Sequence, residues 1–202
     1  MPPHSRQEYE SSDGFNTRVW GPAMWHILHI ISFNYNVEPS NEEKLQYYAF
    51  LLSLEHVLPC KVCRGNYKKN LKDAGLKVLH KAEDIVRLPE LQNRHAFSTF
   101  IYKLHTCVCK MDKTKRGLPC TYYSMRKTYE TFRAKCVPNT KAGHGGCSRP
   151  IDYVASRSVL SVIPQKTNEH VASFSIDNKC TQKQSTSQEQ HLHPLPKKKQ
   201  ST

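Results

Sequence analysis

Cys60-Lys-Val-Cys63 follows Pro59 and opens a helical run that carries Tyr67 and Leu71. A cysteine at a helix start sits among backbone N–H groups with no partner inside the helix, at the positive end of its dipole, and that setting favours the thiolate. Lys61 and Arg64 add positive charge beside it. Helical residues three apart have Cβ atoms about 5–6 Å apart, so a small adjustment closes a disulfide. The pair suits a bond that opens and closes. Zinc is the competing use, with CxxC as half of a tetrahedral site and Cys107, Cys109, His105 or His80 as the remaining ligands. That second half is poorly formed, because Cys107-Val-Cys109 points its sulfurs to different faces of a helix and no second CxxC exists.

The elements that must hold these groups read as helices. Phe97, Phe100, Ile101, Leu104 and Val108 recur at helical spacing and predict a core-facing helix. A second helix runs from about Pro22, placed for a first turn, through Met24, Trp25, Leu28 and Ile31. Asn41 and Glu43 cap a third that carries Leu45, Tyr48 and Leu52 and ends before Pro59. The fourth starts near Cys60. The last has Tyr122, Met125, Tyr129 and Phe132 on one stripe and ends before Pro138. Drawn straight, that last helix is about 24 Å long and keeps Cys120 and Cys136 apart. His29 lies four residues after Trp25, and His105 ends the stripe of another helix, so both face one interior with a polar edge, as hydrogen-bonded core histidines or as ligands.

The chain has 202 residues with a formal net charge of +13, enough for one globular domain plus extensions. Its apolar runs fall far short of the ~20 residues of a membrane helix, and the amino-terminal stretch has no apolar segment to serve as a secretory signal. The reading is therefore a protein not secreted by a signal peptide, acting in the cytoplasm without a membrane. Basic charge attracts nucleic acid or acidic proteins non-specifically, which bears on encounter rather than chemistry. Beyond Cys136 only Tyr153 and Phe174 are aromatic, and Ser, Thr, Gln, Lys, Pro and Gly dominate. Such a stretch cannot offset the entropy of ordering itself, so 137–202 reads as a disordered basic tail, residues 1–15 as a disordered amino terminus, and 16–136 as the folded domain. The expected fold is all-α, a four-helix bundle with a short fifth helix. No Gly-x-Gly-x-x-Gly follows a strand and no phosphate-binding P-loop exists, which excludes a conventional dinucleotide fold; no serine or cysteine hydrolase signature is present.

Taken in order, WGPAMWHILH, LPCKVC, RHAFSTFIYKLHTCVC, Cys120 and FRAKC resemble the ERV/ALR family of FAD-linked sulfhydryl oxidases, particularly those of large DNA viruses. The resemblance covers about 18–136. It implies FAD bound inside a helical bundle, usually in a homodimer. Trp25 and His29 match the family's W-x-x-x-H, and Tyr35 the aromatic that follows, residues that line the flavin pocket in relatives. Cys60 and Cys63 match the redox pair. His105 and Val108 match H-N-x-V-N, with Thr106 and Cys109 where asparagines are usual. Pro22 stands where relatives often have arginine, and Tyr129 substitutes for the tryptophan of cellular members. Cys120 and Cys136 match a pair that forms a structural disulfide in relatives, which requires a shorter last helix with Cys120 in a loop folding back. The resemblance implies no metal.

The resemblance further implies that Cys60 exchanges with a substrate dithiol, that Cys63 communicates with the flavin, and that electrons pass to O2 to give H2O2. Thiol-containing proteins, a thioredoxin-like carrier among them, are the expected substrates, and the host cytoplasm or the virion the expected place. Cys147 and Cys180 in the tail, or Cys107 and Cys109, are candidate shuttles. Two other functions remain open from the residues: a zinc-stabilised basic nucleic-acid-binding module, and a helical interaction protein without activity.

Overall fold

The computed structural model describes residues 5–111, 121–137, 146–150, 158–160 and 174–176. The chain divides into two units, Met1–Pro119 and Cys120–Thr202. The division falls inside the span expected to fold as one domain.

The first unit is helical. A short helix, α1 (Arg6–Glu10), starts at Ser5, whose hydroxyl accepts from the Glu8 N–H while the Glu8 carboxylate takes the Ser5 N–H. Helix α2 (Thr17–Asn34) starts one turn before the expected position because the Asn16 side chain caps it through the Arg18 N–H. Pro22 therefore lies inside the helix and not in its first turn. Its missing N–H costs one bond near the exposed end. Helix α3 (Asn41–Val57) begins with a capping box between Ser40 and Glu43, so the cap is Ser40 and not Asn41. Helix α4 (Lys61–Ala74) is capped by Cys60 and stops at Gly75, which takes the left-handed φ of 111° that closes a helix. After α5 (Ala82–Ile85) and a single tight turn at Pro89–Leu91 comes α6 (Arg94–Met111).

Helix α6 lies against α2, α4 and the Pro89–Leu91 turn, and α3 lies against α4. This central position accounts for its apolar stripe: Phe97, Phe100, Ile101 and Leu104 are all fully buried. They meet Leu28 and Tyr35 from α2 and its end, Tyr48 and Leu51 from α3, and Leu71 from α4 in one core. Val108, the last member of the expected stripe, is only half-buried near the helix end.

In the second unit α7 (Tyr122–Glu130) is capped by Thr121 and buries Met125 and Tyr129. It ends at Glu130, well before Pro138, so the helix is shorter than its stripe suggested. Strand β1 (Ala134–Val137) pairs antiparallel with β2 (Gly146–Pro150), and β3 (Ser158–Leu160) with β4 (Phe174–Ile176). Short described pieces of the two stretches expected to be disordered carry local structure. Part of 1–15 is a capped helix followed by a segment paired to Pro59–Lys61. The described parts of 137–202 are strands, because main-chain pairing needs no apolar side chains of its own. Among the described residues no helix is long and apolar enough to cross a membrane.

Candidate active site

Cys60 and Cys63 are joined by a disulfide with their Cα atoms 5.1 Å apart. Cys60 is the N-cap of α4, and its sulfur accepts the Cys63 N–H at 3.1 Å. This is the helix-start setting read from the sequence, reached by folding the redox sulfur into the cap itself. On reduction the same N–H stabilises a Cys60 thiolate. The two sulfurs differ in surroundings: Cys63 rests against the core cluster, whereas Cys60 stands at the start of the turn. Val62, between them, is 70% exposed. Lys61 and Arg64, the cations expected to act on the thiols, are engaged elsewhere. Arg64 donates to the carbonyls of Leu58 at 2.7 Å and Ser12 at 3.2 Å, and the Lys61 ammonium lies 3.5 Å from the Asp13 carboxylate.

A second cluster brings α2 and α6 together. The Trp25 indole and the His105 ring stack with centroids 4.1 Å apart and planes 10° from parallel. His29 Nε2 lies 2.9 Å from His105 Nδ1, one nitrogen donating and the other accepting. Burial, then the neighbouring His105 and His26, pushes His29 down to about 3, and burial takes His105 down to about 4. Both rings are thus neutral at pH 7. Folding a neutral imidazole means that the unfolded chain binds more protons once pH drops below the ordinary value of 6.5. We expect the protein to lose stability as pH falls from about 6.5 toward 4, by at most about 1.4 kcal/mol per pH unit for each histidine. Urea unfolding across that range, compared between the parent chain and His29→Gln, measures the slope; an unchanged slope in the variant would remove His29 as its source.

The other expected flavin residues are not all gathered here. Val108 and Cys109 lie one turn beyond His105 on the same face of α6 and are half-buried. Tyr35 points into the core: it is fully buried, donates its hydroxyl to the Leu91 carbonyl at 2.8 Å, and meets Tyr47 and Phe97 at ring distances of 4.6 and 4.8 Å. Burial raises its phenol well above the ordinary range. Its place at the end of α2, clamped by Arg94 through its carbonyl at 2.5 Å, makes it a core anchor and not a wall of the cluster. Tyr129 belongs to the second unit, edge-on to Phe132 at 5.8 Å.

The expected Cys120–Cys136 disulfide is corrected at one end: Cys136 is bonded to Cys147, and Cys120 lies outside the described residues. The β1–β2 pairing sets Val137 opposite Gly146 and so brings the two Cα atoms to 4.1 Å. Cys147 is thereby a bonded residue, not the mobile shuttle the sequence allowed; Cys180 is outside the described residues. Cys107 is half-buried and packs against the core. Among the described residues no group of three or more His, Cys, Asp or Glu side chains is placed to hold a metal ion. An open depression of about 430 Å³ lined by Asn41, Leu45, Ala82, Glu83, Val86 and Arg87 shares no residue with either cluster. Sequence reasoning missed the segment Asp13–Phe15, which lies against Pro59–Lys61; Gly14 was its only trace.

A profile of the Erv1/Alr family matches residues 22–130. The chain belongs to the Erv1/Alr family. The matched span of this Erv1/Alr protein contains Trp25, His29, Cys60, Cys63 and His105 and leaves out both Asp13–Phe15 and the Cys136–Cys147 pair. It is 39% identical over 70 residues to the probable FAD-linked sulfhydryl oxidase R368 of Acanthamoeba polyphaga mimivirus, covering 34% of this chain and 49% of that protein. Similarity to the mitochondrial FAD-linked sulfhydryl oxidase ERV1 of Saccharomyces cerevisiae is 22% over 118 residues, 58% of this chain and 55% of that one. The chain spans about half the length of these curated relatives. The crystal structure of the yeast Erv1 core aligns with a TM-score of 0.46 at 20% identity, over 64% of this chain and 95% of that chain.

Proposed function

We propose that this protein is a FAD-dependent thiol oxidase that makes disulfide bonds in protein substrates. The observation that carries the reading is the Cys60–Cys63 disulfide built into the cap of α4 in a chain of the Erv1/Alr family. A substrate thiolate attacks Cys60, the outer sulfur, and the Cys63 sulfur leaves as thiolate toward the core. A second substrate thiol then displaces Cys60, whose departing thiolate receives the Cys63 N–H. Exchange at the other sulfur is disfavoured because Cys63 rests against the buried cluster.

The residues present fit a flavin. Trp25 and His105 form a flat half-buried wall, and burial keeps His29 and His105 neutral, so they offer ring faces and hydrogen-bonding nitrogens to a heteroaromatic system without charge to desolvate. Trp25, His29 and His105 would hold it, with Val108 and Cys109 alongside. Bound FAD supplies the two-electron oxidant that restores the disulfide and passes the electrons to O2 as H2O2. Thiol-containing proteins, a thioredoxin-like carrier among them, are the proposed substrates, and a host cytoplasm or virion is the proposed place of action. The zinc reading finds no support, since both CxxC sulfurs are bonded to each other.

The test is the visible spectrum of the purified protein. Flavin bands that bleach with dithiothreitol under nitrogen and return with air, producing H2O2, are the expected result. A yellow protein that neither bleaches nor consumes oxygen would replace the oxidase by an interaction protein.

A homodimer belongs to the same proposal. Val19, Ile27 and Ile30 lie on one face of α2 and are 45%, 50% and 37% exposed, an apolar stripe suited to a second copy. We expect Ile27→Glu to shift sedimentation from dimer to monomer, weakening association at least about tenfold, because a buried unpaired carboxylate costs more than the ~1.4 kcal/mol that a decade requires. A monomeric parent chain would remove the dimer.

A further inference from the structure

Asp13–Phe15 forms a strap paired to the main chain on either side of Cys60. The Phe15 N–H donates to the Pro59 carbonyl at 2.8 Å, and the Lys61 N–H donates to the Asp13 carbonyl at 2.8 Å. These bonds make Gly14 and Cys60 opposite members of an antiparallel bridge. In this bonding pattern the facing residues do not bond each other and stand about 4.5 Å apart with side chains on one side. Gly14 takes a φ of 101°, and a Cβ there would lie 2.5 Å from the Pro59 carbonyl oxygen and 2.9 Å from the Cys60 Cα. Only glycine closes the strap so tightly, and no side chain fills the place opposite Cys60. The remaining ties are the Arg64 bond to the Ser12 carbonyl at 3.2 Å, the Trp20 indole bond to the Phe15 carbonyl at 3.1 Å, and the Lys61–Asp13 pair. That ion pair is 66% and 77% exposed on its two sides and adds little. A few exposed bonds hold the strap, which is the make-up of a segment that opens locally.

We propose that the Pro59–Lys61 main chain is a docking edge for an extended, cysteine-bearing peptide of the substrate, and that the strap occupies it in the resting chain. The docked peptide takes the strap's register, with its cysteine in the place of Gly14. The proposal rests on the oxidase reading, which gives the docked thiol its chemistry. The strap is held at Gly14 in a φ of 101° that admits no side chain, whereas a free peptide, not tied to α2, takes ordinary strand dihedrals, and its cysteine then sets its Cβ about 4.5–5.5 Å from the Cβ of Cys60, a small adjustment from disulfide spacing. Its thiolate attacks the Cys60 sulfur, the Cys60–Cys63 bond breaks, and the electron pair goes to the Cys63 sulfur, which takes up a proton. A second peptide thiol then attacks the peptide sulfur of the mixed disulfide. The peptide leaves oxidised by two electrons, and the enzyme keeps two thiols. Main-chain bonds supply affinity without regard to sequence, and the site of Asp13 beside Lys61 adds a preference for an acidic residue just before the cysteine.

The test compares the flavin-loaded full chain with Gly14→Val, whose side chain expels the strap, using dithiothreitol and a dithiol peptide of the Ser11–Arg18 sequence carrying cysteines at the places of Gly14 and Thr17. We expect the variant to lower the KM for the peptide about three- to tenfold with kcat unchanged and dithiothreitol turnover unaltered, as removal of an occupied state requires. A peptide with lysine in place of the aspartate should have a severalfold higher KM. Asp13→Ala, which leaves the backbone free to keep its shape, should move the KM in the same direction by less. The cysteine-free Ser11–Arg18 peptide, labelled for fluorescence anisotropy, should bind Gly14→Val more tightly than the parent chain. Equal KM values, or parallel losses with both reductants, would make the strap a structural brace and overturn the proposal. A flavin-loaded chain that oxidises neither reductant overturns the oxidase reading, and the anisotropy then decides the docking edge without turnover.

Discussion

Cys60→Ser and Cys63→Ser should each lower dithiol oxidation at least about a thousandfold, because one sulfur cannot store the two electrons of a disulfide. The two variants should differ in the reactivity of the thiol they leave. In Cys63→Ser the Cys60 sulfur keeps its place at the cap, where the residue 63 N–H points at it. In Cys60→Ser the Cys63 sulfur remains against the core cluster. Cys60 should therefore react at least about tenfold faster than Cys63 with a disulfide reagent and should be trapped as a mixed disulfide with substrate. Cys147→Ser is the control: it breaks the Cys136–Cys147 bond and should leave dithiothreitol turnover unchanged. Normal oxygen consumption by Cys60→Ser would sink the mechanism, and faster labelling of Cys63 would exchange the roles of the two sulfurs.

What could be read from the sequence was what local chemistry writes into it. The α6 stripe is legible because one helix face is buried along most of its length, and the redox pair because a cysteine after proline at a helix start has few other uses. Residues held by main-chain pairing left almost no trace. The strap is polar and its two closing bonds are backbone to backbone, so composition placed it with disorder. The β1–β2 hairpin hid the Cys136–Cys147 bond for the same reason, since cysteine spacing does not fix connectivity. Tyr35 shows a different limit. A matching position in a motif carried it to the flavin, but its place at the α2 terminus turns the ring toward Tyr47 and Phe97. His29 and His105, 76 residues apart, were legible as a pair because each stands on a stripe facing the same core.

Trp25→Ala should reduce flavin retained through purification at least about tenfold, measured as the ratio of visible flavin absorbance to protein. The indole covers the His105 ring at 4.1 Å, and loss of an aromatic partner of this kind removes both a stacking face and the cover over two neutral imidazoles. The second consequence can be read without any flavin. Opening the cluster lets water reach His29 and His105, so their pKa values should rise toward 6.5 from about 3 and about 4. The unfolded chain then no longer binds many more protons than the folded one below pH 6.5, and the acid loss of stability expected for the parent chain should flatten. The variant is also less stable at pH 7 through lost packing, by an amount that says nothing of flavin. The diagnostic is the combination. A Trp25→Ala protein with a flattened acid profile but full flavin content would leave the cluster as a structural core and move the cofactor elsewhere. Lost flavin with an unchanged profile would keep Trp25 at the flavin and show that the two histidines titrate under cover of other groups.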